Sequence, residues 1–394
     1  MVFKITYKDK KTKARIGILS TKKGPVETPF FMPVATKATA KFINPEKLIE
    51  LGAKAIISNA LILSLKPGAK LIRKLGGIGK FMNFKGVNFT DSGGFQMYSP
   101  STYLKSDDKG VFFRNPFNGE KIFITPEKDM EIQLDIGSEV AMCLDRMPLY
   151  EDSKKEIENA VRLTALWAKR CKQHHDKLQK NIPQEKRQLL FGITQGGIYK
   201  DLRKKSIREL KTLDFDGYSV GGLGLGEKRK DEMKIVKLQK SILPENKPIY
   251  LMGIGDPLEI LEAIELGVDI FDSRMPTQNA RRGTLFTSQG KLKILNKKYE
   301  LDKSPIDKNC NCFACRNYSR AYIKFLLSQD EPVGKELASY HNLYYLQTII
   351  QQAKDAVKNN KFKEFKNKIK MEISKWLSSV GYLYIRAVEL ICLT

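Results

Sequence analysis

Short apolar runs rich in β-branched and aromatic residues recur along the chain, and segments with helical spacing lie between them. Before the first run, Phe3 to Tyr7 and Arg15 to Ser20 alternate like the two strands of a hairpin. Segments 45–51 and 257–264 carry apolar residues at the 3.6-residue spacing of a helix. The eight runs of strand length are 30–34, 55–58, 87–91, 140–145, 189–193, 217–220, 249–252 and 268–272.

Eight strand-helix units predict an α/β fold of the (β/α)8 TIM-barrel type. The alternative is a doubly wound open sheet. That fold usually has fewer strands and a glycine-rich phosphate loop after the first strand, which this sequence lacks.

Two additions to the barrel are also predicted. Residues 110–124 read as an inserted β-hairpin that turns at Asn118-Gly119, a dipeptide typical of tight hairpin turns. The predicted organisation is a barrel with its N-terminal hairpin over 1–290, an appended subdomain over 291–350 that contains three closely spaced cysteines, and a basic helical extension over 351–394.

Three cysteines within six residues, Cys310, Cys312 and Cys315, are followed after 25 intervening residues by His341. Three thiolates and one imidazole complete the tetrahedral shell of a structural Zn²⁺, one per subunit, with no open position for water. The alternative is three buried or disulfide-bonded thiols and a surface histidine. The remaining cysteines, at 143, 171 and 392, are widely scattered.

The charge balance points to a polyanionic partner. The 394 residues include 69 Lys and Arg against 44 Asp and Glu, a formal charge of +25, which favours phosphate-rich ligands. Lysine-rich runs such as 8–13 are equally typical of solvated surface. No segment resembles a signal peptide or reaches membrane-spanning length without charges, and the few cysteines fit a reducing cytoplasm, so a cytoplasmic protein without membrane contact is predicted.

Polar residues fall at the predicted carboxyl ends of six strands, where TIM barrels build their active sites. Singly, each could be a helix cap or a turn residue. Three aspartates on one rim, with no histidine set to bind a catalytic metal, favour carboxylate chemistry. The residues are Asp91, Asp145, Gln195, Gly221, Gly222, Met252 and Asp272.

These positions belong to motifs that occur in the order 91–96, 144–145, 192–197, 217–223, 250–253 and 271–277, followed by the Cys-x-Cys-x₂-Cys and His set. In this order and spacing the chain resembles the tRNA-guanine transglycosylase family, also called queuine tRNA-ribosyltransferase, of the bacterial type. The resemblance runs from about residue 25 to about residue 351. It implies an enzyme that replaces guanine at the anticodon wobble position of tRNA with a 7-deazaguanine, in queuosine biosynthesis, without ATP or a catalytic metal.

The resemblance also implies roles for residues. Asp272 matches the nucleophile that forms a covalent ribosyl intermediate, and Asp91 matches the general acid and base. Phe95 and Met252 would sandwich the base, Asp145 would accept from its N1 and amino hydrogens, and Gln195 and the Gly222 N–H would address its carbonyl. Glu227 matches a carboxylate that steadies the Leu223–Gly224 peptide. The remaining matches are the base-binding residues Ser92, Gly221 and Leu223 and the RNA-binding residues Gln278, Arg281 and Arg282.

Several positions depart from the family pattern. Arg146 and Met147 follow Asp145 where bacterial members carry Glu-Cys, and Gln278 stands where most relatives have Arg. By the resemblance, Leu225 stands where bacterial members have a branched aliphatic residue and eukaryotic ones a glycine. Its bulk should exclude a large cyclopentene substituent, which favours 7-aminomethyl-7-deazaguanine as the incoming base over queuine. The resemblance implies a homodimer on one tRNA.

Other functions stay open at this point. The chain could be a non-catalytic tRNA-binding partner subunit, or an enzyme with queuine or archaeosine specificity. A barrel hydrolase would need a metal cluster or a nucleophile with a histidine beside it. Cys143 has no such histidine in the sequence pattern, since His174 and His175 are predicted on a surface helix.

Overall fold

The computed structural model describes residues 1–94, 97, 99 and 101–379. The first three strands, β1 (Phe3–Lys8), β2 (Arg15–Thr21) and β3 (Gly24–Thr28), form an antiparallel sheet. β1 and β2 are the predicted N-terminal hairpin. The hydrophobic pattern does not predict β3, because Pro25 lacks a backbone donor and is typical of an edge strand.

Eight parallel strands form the barrel. Val34 and Ile57 form a parallel bridge, and the Ala35 N–H donates to the Ile57 carbonyl at 2.7 Å, so the two outermost strands of the sheet also meet. The TIM-barrel prediction is confirmed, and an open sheet is excluded. In order around the ring the strands are β4 (Phe30–Pro33), β14 (Ile270–Ser273), β13 (Ile249–Leu251), β12 (Gly217–Val220), β11 (Leu189–Thr194), β10 (Val140–Met142), β6 (Val87–Asp91) and β5 (Ala55–Asn59).

The insertion between β6 and β10 is a three-stranded antiparallel sheet of β7 (Tyr103–Asp107), β8 (Gly110–Arg114) and β9 (Lys121–Ile124). β8 and β9 are the predicted hairpin. β7 is an additional strand that the pattern does not predict, because its residues are mostly polar and only one of its faces meets the core.

Ten helices of the described chain accompany the barrel strands. Asn44, Thr125, Ser153 and Asp256 each accept a backbone N–H of the first helical turn, which fixes where four of them begin. The helices are α1 (Pro45–Glu50), α2 (Ala60–Leu65), α3 (Ala69–Lys74), α4 (Ile78–Phe81), α5 (Pro126–Ile136), α6 (Lys154–Leu178), α7 (Lys200–Lys211), α8 (Arg229–Ile242), α9 (Pro257–Glu265) and α10 (Met275–Arg281).

The segment after the barrel begins with one hairpin, β15 (Thr284–Thr287) and β16 (Gly290–Lys293), continues through a stretch that is mostly irregular over 294–312, and is then mainly helical. Its helices are α11 (Phe313–Asn317), α12 (Arg320–Ser328), α13 (Pro332–Lys358) and α14 (Phe362–Ser379). Short 3-10 turns lie at Gln184–Lys186 and Lys297–Tyr299. α13 runs across position 350, where the sequence predicts a domain boundary, and packs in the same hydrophobic cluster as the outer layer of the barrel.

The interior of the barrel is filled by aromatic and aliphatic side chains. The Phe89 ring lies 6.1 Å from the Phe30 ring, 5.9 Å from the Phe191 ring and 6.4 Å from the Tyr250 ring, all edge to face. Phe3 of the N-terminal sheet belongs to the same buried cluster. The interior is therefore a packed core, and the N-terminal sheet covers one end of it.

A buried ion pair fixes this sheet to the barrel. Arg15 donates through Nε to Asp269 Oδ1 at 2.9 Å and through Nη2 to Oδ2 at 2.5 Å, and neither side chain is more than 2% exposed. The guanidinium also donates to the carbonyls of Glu245 and Lys247. These partners precede β13 and β14, so the sheet closes the end of the barrel at which the strands begin.

Of the two histidines on α6, His175 lies on the buried face of the helix. Its ring is only 2% exposed and lies 3.2 Å from Gln188 Oε1, within a polar network that includes Gln179. Burial lowers its pKa to about 4, so the ring is neutral at pH 7. The amphipathic pattern of α6 does not reveal this, because the partner Gln188 comes from the following loop. In the described part of the chain, no helix is both long and apolar enough to cross a membrane.

Replacing Asp269 with Asn should strongly destabilise the fold. The substitution leaves the Arg15 guanidinium buried without its counter-charge, and breaking a buried pair in this way costs about 3–5 kcal/mol. Lys8→Met, which breaks the exposed Lys8–Glu245 pair in the same region, should change the free energy of unfolding by less than about 1 kcal/mol. Denaturant titration of both variants measures the difference, and equal effects would contradict a structural role for the buried pair.

Candidate active site and metal centre

The carboxyl ends of the barrel strands bring the predicted site residues to one mouth. Asp91 ends β6 and Asp272 lies within β14, while Gln195 directly follows β11. Asp145 lies three residues beyond β10, which ends at Met142, earlier than predicted. Gly221 follows β12 and Met252 follows β13. The strands are parallel, so all of these positions face the same rim.

Asp91 is a carboxylic acid held by two donors. Asn59 Nδ2 donates to its Oδ2 at 3.2 Å, and the Gly93 N–H donates to its Oδ1 at 3.0 Å. Burial raises the pKa of Asp91 to about 7, and the negative charge of Asp272 adds to the increase against the opposing Gly93 hydrogen bond. Asp91 can therefore both give and take a proton near neutral pH.

Asp272 faces the same mouth and is oriented through one of its oxygens. The Tyr250 hydroxyl donates to Oδ1 at 2.6 Å and the Gly253 N–H donates to the same atom at 3.0 Å. Neither bond uses the lone pairs of Oδ2. Burial raises the pKa of Asp272, and the hydrogen bonds from Tyr250 and Gly253 oppose that shift. The sequence carries no signal for Tyr250, because it reads as an ordinary apolar position of a buried strand.

Asp145 and Gln195 form a buried hydrogen-bonded pair beside this mouth. Gln195 Nε2 donates to Asp145 Oδ2 at 2.6 Å, and Ser92 also hydrogen-bonds to this carboxyl group. Burial raises the pKa of Asp145 to about 6, and the Gln195 hydrogen bond opposes the shift. The amide oxygen of Gln195 is buried and has no hydrogen-bond partner among the described residues. A buried polar atom without a partner at the rim of a barrel indicates a ligand position.

Three glycines make room for these side chains. A Cβ on Gly221 would lie 2.7 Å from Gln195 Nε2, and one on Gly222 would overlap Gln195 Oε1. Gly222 also has φ of +63°, in the left-handed region that favours glycine. A Cβ on Gly94 would overlap the Asp145 carboxylate. The backbone at these positions is therefore within reach of anything bound beside Asp145 and Gln195.

The loop after β12 is fixed by Glu227, as the sequence resemblance implies. Its carboxylate is buried and accepts the N–H of Gly224 and, at 3.0 Å, the N–H of Leu225. Because a trans peptide points its N–H and C=O in opposite directions, the Leu223 carbonyl faces away from Glu227. The Leu223 side chain itself is buried.

Arg203 is a site residue that the sequence analysis missed. Its buried guanidinium donates to the carbonyls of Thr194 at 3.0 Å, Gly197 at 2.8 Å and Gly221 at 2.8 Å, and so joins the loops after β11 and β12. Burial lowers its pKa to about 9, and the charge of Glu227 opposes this. The available signal was a charged residue among the buried positions of α7, which otherwise carry Leu202, Ser206, Ile207 and Leu210.

Other predicted residues lie at the edge of the mouth or outside the described chain. Phe95 lies outside the described residues, whereas Met252 is partly buried and packs on the barrel interior. Arg281 is partly buried, lies 6.0 Å from the Phe42 ring, and has a pKa lowered by burial. Gln278 lies in α10 and Arg282 is the C-cap of this helix, so both follow Asp272 closely along the chain.

Cys310, Cys312, Cys315 and His341 come together, with all four ligand atoms within 4.8 Å of one another. His341 Nδ1 lies 3.7, 3.4 and 3.3 Å from the three sulfurs in that order. A tetrahedral Zn²⁺ with ordinary bond lengths places N and S about 3.6 Å apart. His341 Nε2 lies 2.6 Å from the Phe286 carbonyl, which requires a proton on Nε2 and leaves the Nδ1 lone pair for a metal. The donor set therefore fits the predicted ion.

Asp91→Asn should stabilise the fold more at pH 8 than at pH 4. Between these values the folded chain keeps a proton on Asp91 that the unfolded chain releases, so this group's contribution to stability is lost as pH rises through about 7. Because the Asn side chain does not titrate, this loss is absent in the variant. The free energy of unfolding of Asp91→Asn, relative to the unmodified protein, should therefore be higher at pH 8 than at pH 4 by more than about 1 kcal/mol. Unfolding titrations at both pH values measure it. The exposed Glu185→Gln is the control, and a pH-independent effect of Asp91→Asn would contradict the raised pKa.

Comparison with known proteins agrees with this geometry. The sequence model of the family described as queuine tRNA-ribosyltransferase matches residues 9–375. Proteins named queuine tRNA-ribosyltransferase from Lysinibacillus sphaericus and Thermoanaerobacter sp. (strain X514) are 44% and 46% identical over 364 residues, covering 92% of this chain and 94% and 95% of theirs. The protein of that name from Fusobacterium nucleatum subsp. nucleatum is 45% identical over 372 residues, covering 93% and 98%. The chain therefore belongs to the queuine tRNA-ribosyltransferase family and is, as predicted, an enzyme of the pentosyltransferase class.

Proposed function

We propose that the chain exchanges guanine at the anticodon wobble position of tRNA for a 7-deazaguanine, by double displacement through an Asp272-ribosyl intermediate, in the cytoplasm. Family membership supports tRNA guanine transglycosylation in queuosine synthesis. The observation that carries the mechanism is the pair of acids at the barrel mouth. Asp91 has a pKa near neutrality because of burial and the charge of Asp272, and Asp272 is held by Tyr250 and Gly253.

The two acids divide the chemistry between them. An oxygen of Asp272 attacks C1′ of the ribose, the bond from C1′ to guanine breaks, and Asp91 gives its proton to the departing base. The incoming base then gives a proton to Asp91 and attacks C1′, which releases Asp272 as a carboxylate. Two displacements at one carbon retain its configuration, and the RNA backbone stays intact.

The polar groups of Asp145 and Gln195 suit a purine turned out of the RNA stack. The Asp145 carboxylate accepts from the N1 and amino hydrogens, while the Gln195 amide and the Gly222 N–H face the ring carbonyl. In the structure Gln195 Nε2 donates to Asp145, so binding requires this nitrogen to turn from Asp145 to the ring carbonyl while the base takes over the Asp145 carboxylate. Met252 covers one face of the ring, and Phe95 is assigned to the other by the motif alone.

The incoming base is assigned as 7-aminomethyl-7-deazaguanine. Glu227 holds the Gly224 N–H, so the opposite side of that peptide presents the Leu223 carbonyl as an acceptor for an amino group. Leu225 adds bulk next to it, against a cyclopentene substituent. Arg281, Arg282 and Gln278 follow the nucleophile on α10 and are assigned to the flanking nucleotides.

We assign one structural Zn²⁺ per chain to Cys310, Cys312, Cys315 and His341. The ion supplies the cross-link between the loop before α11 and the middle of α13. His341 is oriented by the Phe286 carbonyl of β15, so the hairpin is tied to the same point. Four protein ligands leave the metal no position for a reacting group.

A homodimer is supported by an apolar surface on the same subdomain. Tyr322 is 44% exposed and Phe325 is 58% exposed on α12, and the Tyr322 ring stacks on Tyr318 at 5.6 Å. Aromatic side chains at this exposure are typical of protein interfaces. A second copy of the chain is the partner that we assign to this surface.

Asp272→Asn should abolish both the covalent RNA adduct and the exchange of labelled guanine into tRNA, because the amide cannot form the ribosyl ester. Asp91→Asn should slow exchange by about 10²-fold or more, since proton transfer of this kind contributes about 10² to 10⁴. Adducts are measured on denaturing gels and exchange by retention of label in intact tRNA. An adduct in Asp272→Asn would remove this residue as nucleophile. No exchange by the unmodified protein would favour a non-catalytic tRNA-binding subunit, and competition between deazaguanines identifies the incoming base.

Loss of the metal should abolish the proposed dimer. Cys312→Ser should lower the zinc content from one ion per chain to near zero, and light scattering should then report a monomer, because α12 loses its anchor. Cys143→Ser changes a buried thiol outside the cluster and is the control. It should keep one zinc ion per chain and the mass of a dimer. Full zinc content in Cys312→Ser would exclude this ligand set.

A further inference from the structure

The inserted sheet β7–β9 has one buried face and one exposed face. Val111, Phe113 and Ile124 point inward and belong to the main hydrophobic cluster. Trp167 Nε1 donates to the Asp107 carbonyl at 3.2 Å and Arg170 Nη1 donates to the Asp108 carbonyl at 2.8 Å, both from α6. The sheet is therefore a rigid platform fixed to the helix layer.

The outward face carries stacked aromatic rings between lysines. Phe112 pairs with Phe123 across β8 and β9, with ring centroids 4.3 Å apart and planes 27° apart. Lys105 Nζ lies 5.0 Å and Lys121 Nζ lies 4.6 Å from the Phe112 centroid. Phe123 remains 38% exposed. Arg114, paired with Lys121, extends the same row.

The same combination recurs at the tip of the hairpin. Phe117 is 42% exposed, and Lys37 and Lys66 lie 5.6 and 5.7 Å from its ring. Lys37 lies in the loop after β4 and Lys66 caps α2, so both stand on the mouth side of the barrel. At the same end of the sheet as this turn, Arg146, which directly follows Asp145, lies 4.7 Å from the ring of Tyr103 on the inward face of β7. The platform thus borders the base-exchange site.

The three acidic groups near this face are each engaged by a neighbouring group. Asp107 lies at the end of the outward row, where its carboxylate accepts the N–H groups of Lys109 and Gly110. Asp108 is paired with Arg162 at 2.8 Å. Glu120 lies at the turn and accepts from Asn118. The exposed rings are therefore framed by positive charge, which fits a polyanion that carries stacking groups.

We propose that the outward face of β7–β9 is a second RNA-binding surface, on which unpaired bases stack against Phe123 and Phe117 while Lys105, Lys121, Lys37 and Lys66 contact phosphates. Aromatic rings interleaved with cations bind single-stranded nucleic acid by stacking and counterion release. A cross-strand aromatic pair can stabilise a sheet without any ligand. The inference rests on the proposed function only in taking tRNA as the ligand, and the test does not depend on catalysis.

The test measures direct binding of unmodified tRNA to full-length protein, together with exchange kinetics. Lys105→Glu/Lys121→Glu should weaken tRNA binding by about tenfold or more and reduce the slope of log affinity against log salt by about 1.5, the value for two phosphate contacts. Phe123→Ser should weaken binding by about fivefold or more, since base stacking is worth about 1–3 kcal/mol. The KM for tRNA should rise by the same factor as tRNA binding weakens, while kcat and the KM for free guanine stay unchanged.

Lys4→Glu/Lys363→Glu is the matched control, because it reverses the same charge on β1 and α14, away from the mouth. Equal weakening in both double variants would reduce the effect to net charge and overturn the proposal. Unchanged tRNA affinity in Lys105→Glu/Lys121→Glu would also overturn it, and altered oligomer mass in Phe123→Ser with normal RNA binding would assign the face to a protein partner. A loss of exchange in the unmodified protein, with tRNA binding still sensitive to these residues, would instead refute the proposed function alone.

Discussion

Parallel hydrogen bonding around a closed ring brings all eight strands to an end at one rim, and this constraint determines where charge is buried. Asp91 and Asp272 share that rim with Asp145, and Asp145 is buried while the other two are partly buried. Their ionised forms are disfavoured by burial and, for Asp91, by the neighbouring negative charge. The fold gives up stability at this rim, and the pKa values that result are those that proton transfer near neutral pH requires.

The loops around the mouth are held by a second buried charge of opposite sign. Arg203 binds carbonyls from the loops after β11 and β12, and the nearby Glu227 carboxylate holds two N–H groups of the latter. Each charge reduces the cost of burying the other. The peptide proposed to select the base is therefore positioned by this buried pair of opposite charges.

The sequence predicts the barrel well because buried parallel strands are apolar and their ends are polar, both of which are local signals. It also predicts the metal ligands, since three cysteines within six residues are a spacing typical of a zinc site. Residues that act through tertiary contacts are different. Tyr250 reads as an ordinary strand residue until the fold brings it to Asp272, whereas Asn59, which contacts Asp91, directly follows the predicted strand 55–58 and carried the same rim signal as the aspartates. Strands β3 and β7 escape prediction because proline or polar side chains interrupt their apolar alternation.

Helix α13 connects the metal cluster to the wall of the barrel. It carries His341, and two turns later Gln347 donates to the carbonyl of Phe31 in β4, while Lys354 reaches the carbonyl of Glu27 in β3. A single helix thus contacts the thiolate cluster, the first barrel strand and the N-terminal sheet. The cysteine-rich segment is consequently not an independent module. Deleting it would also remove the contacts that α13 makes with the first barrel strand and the N-terminal sheet.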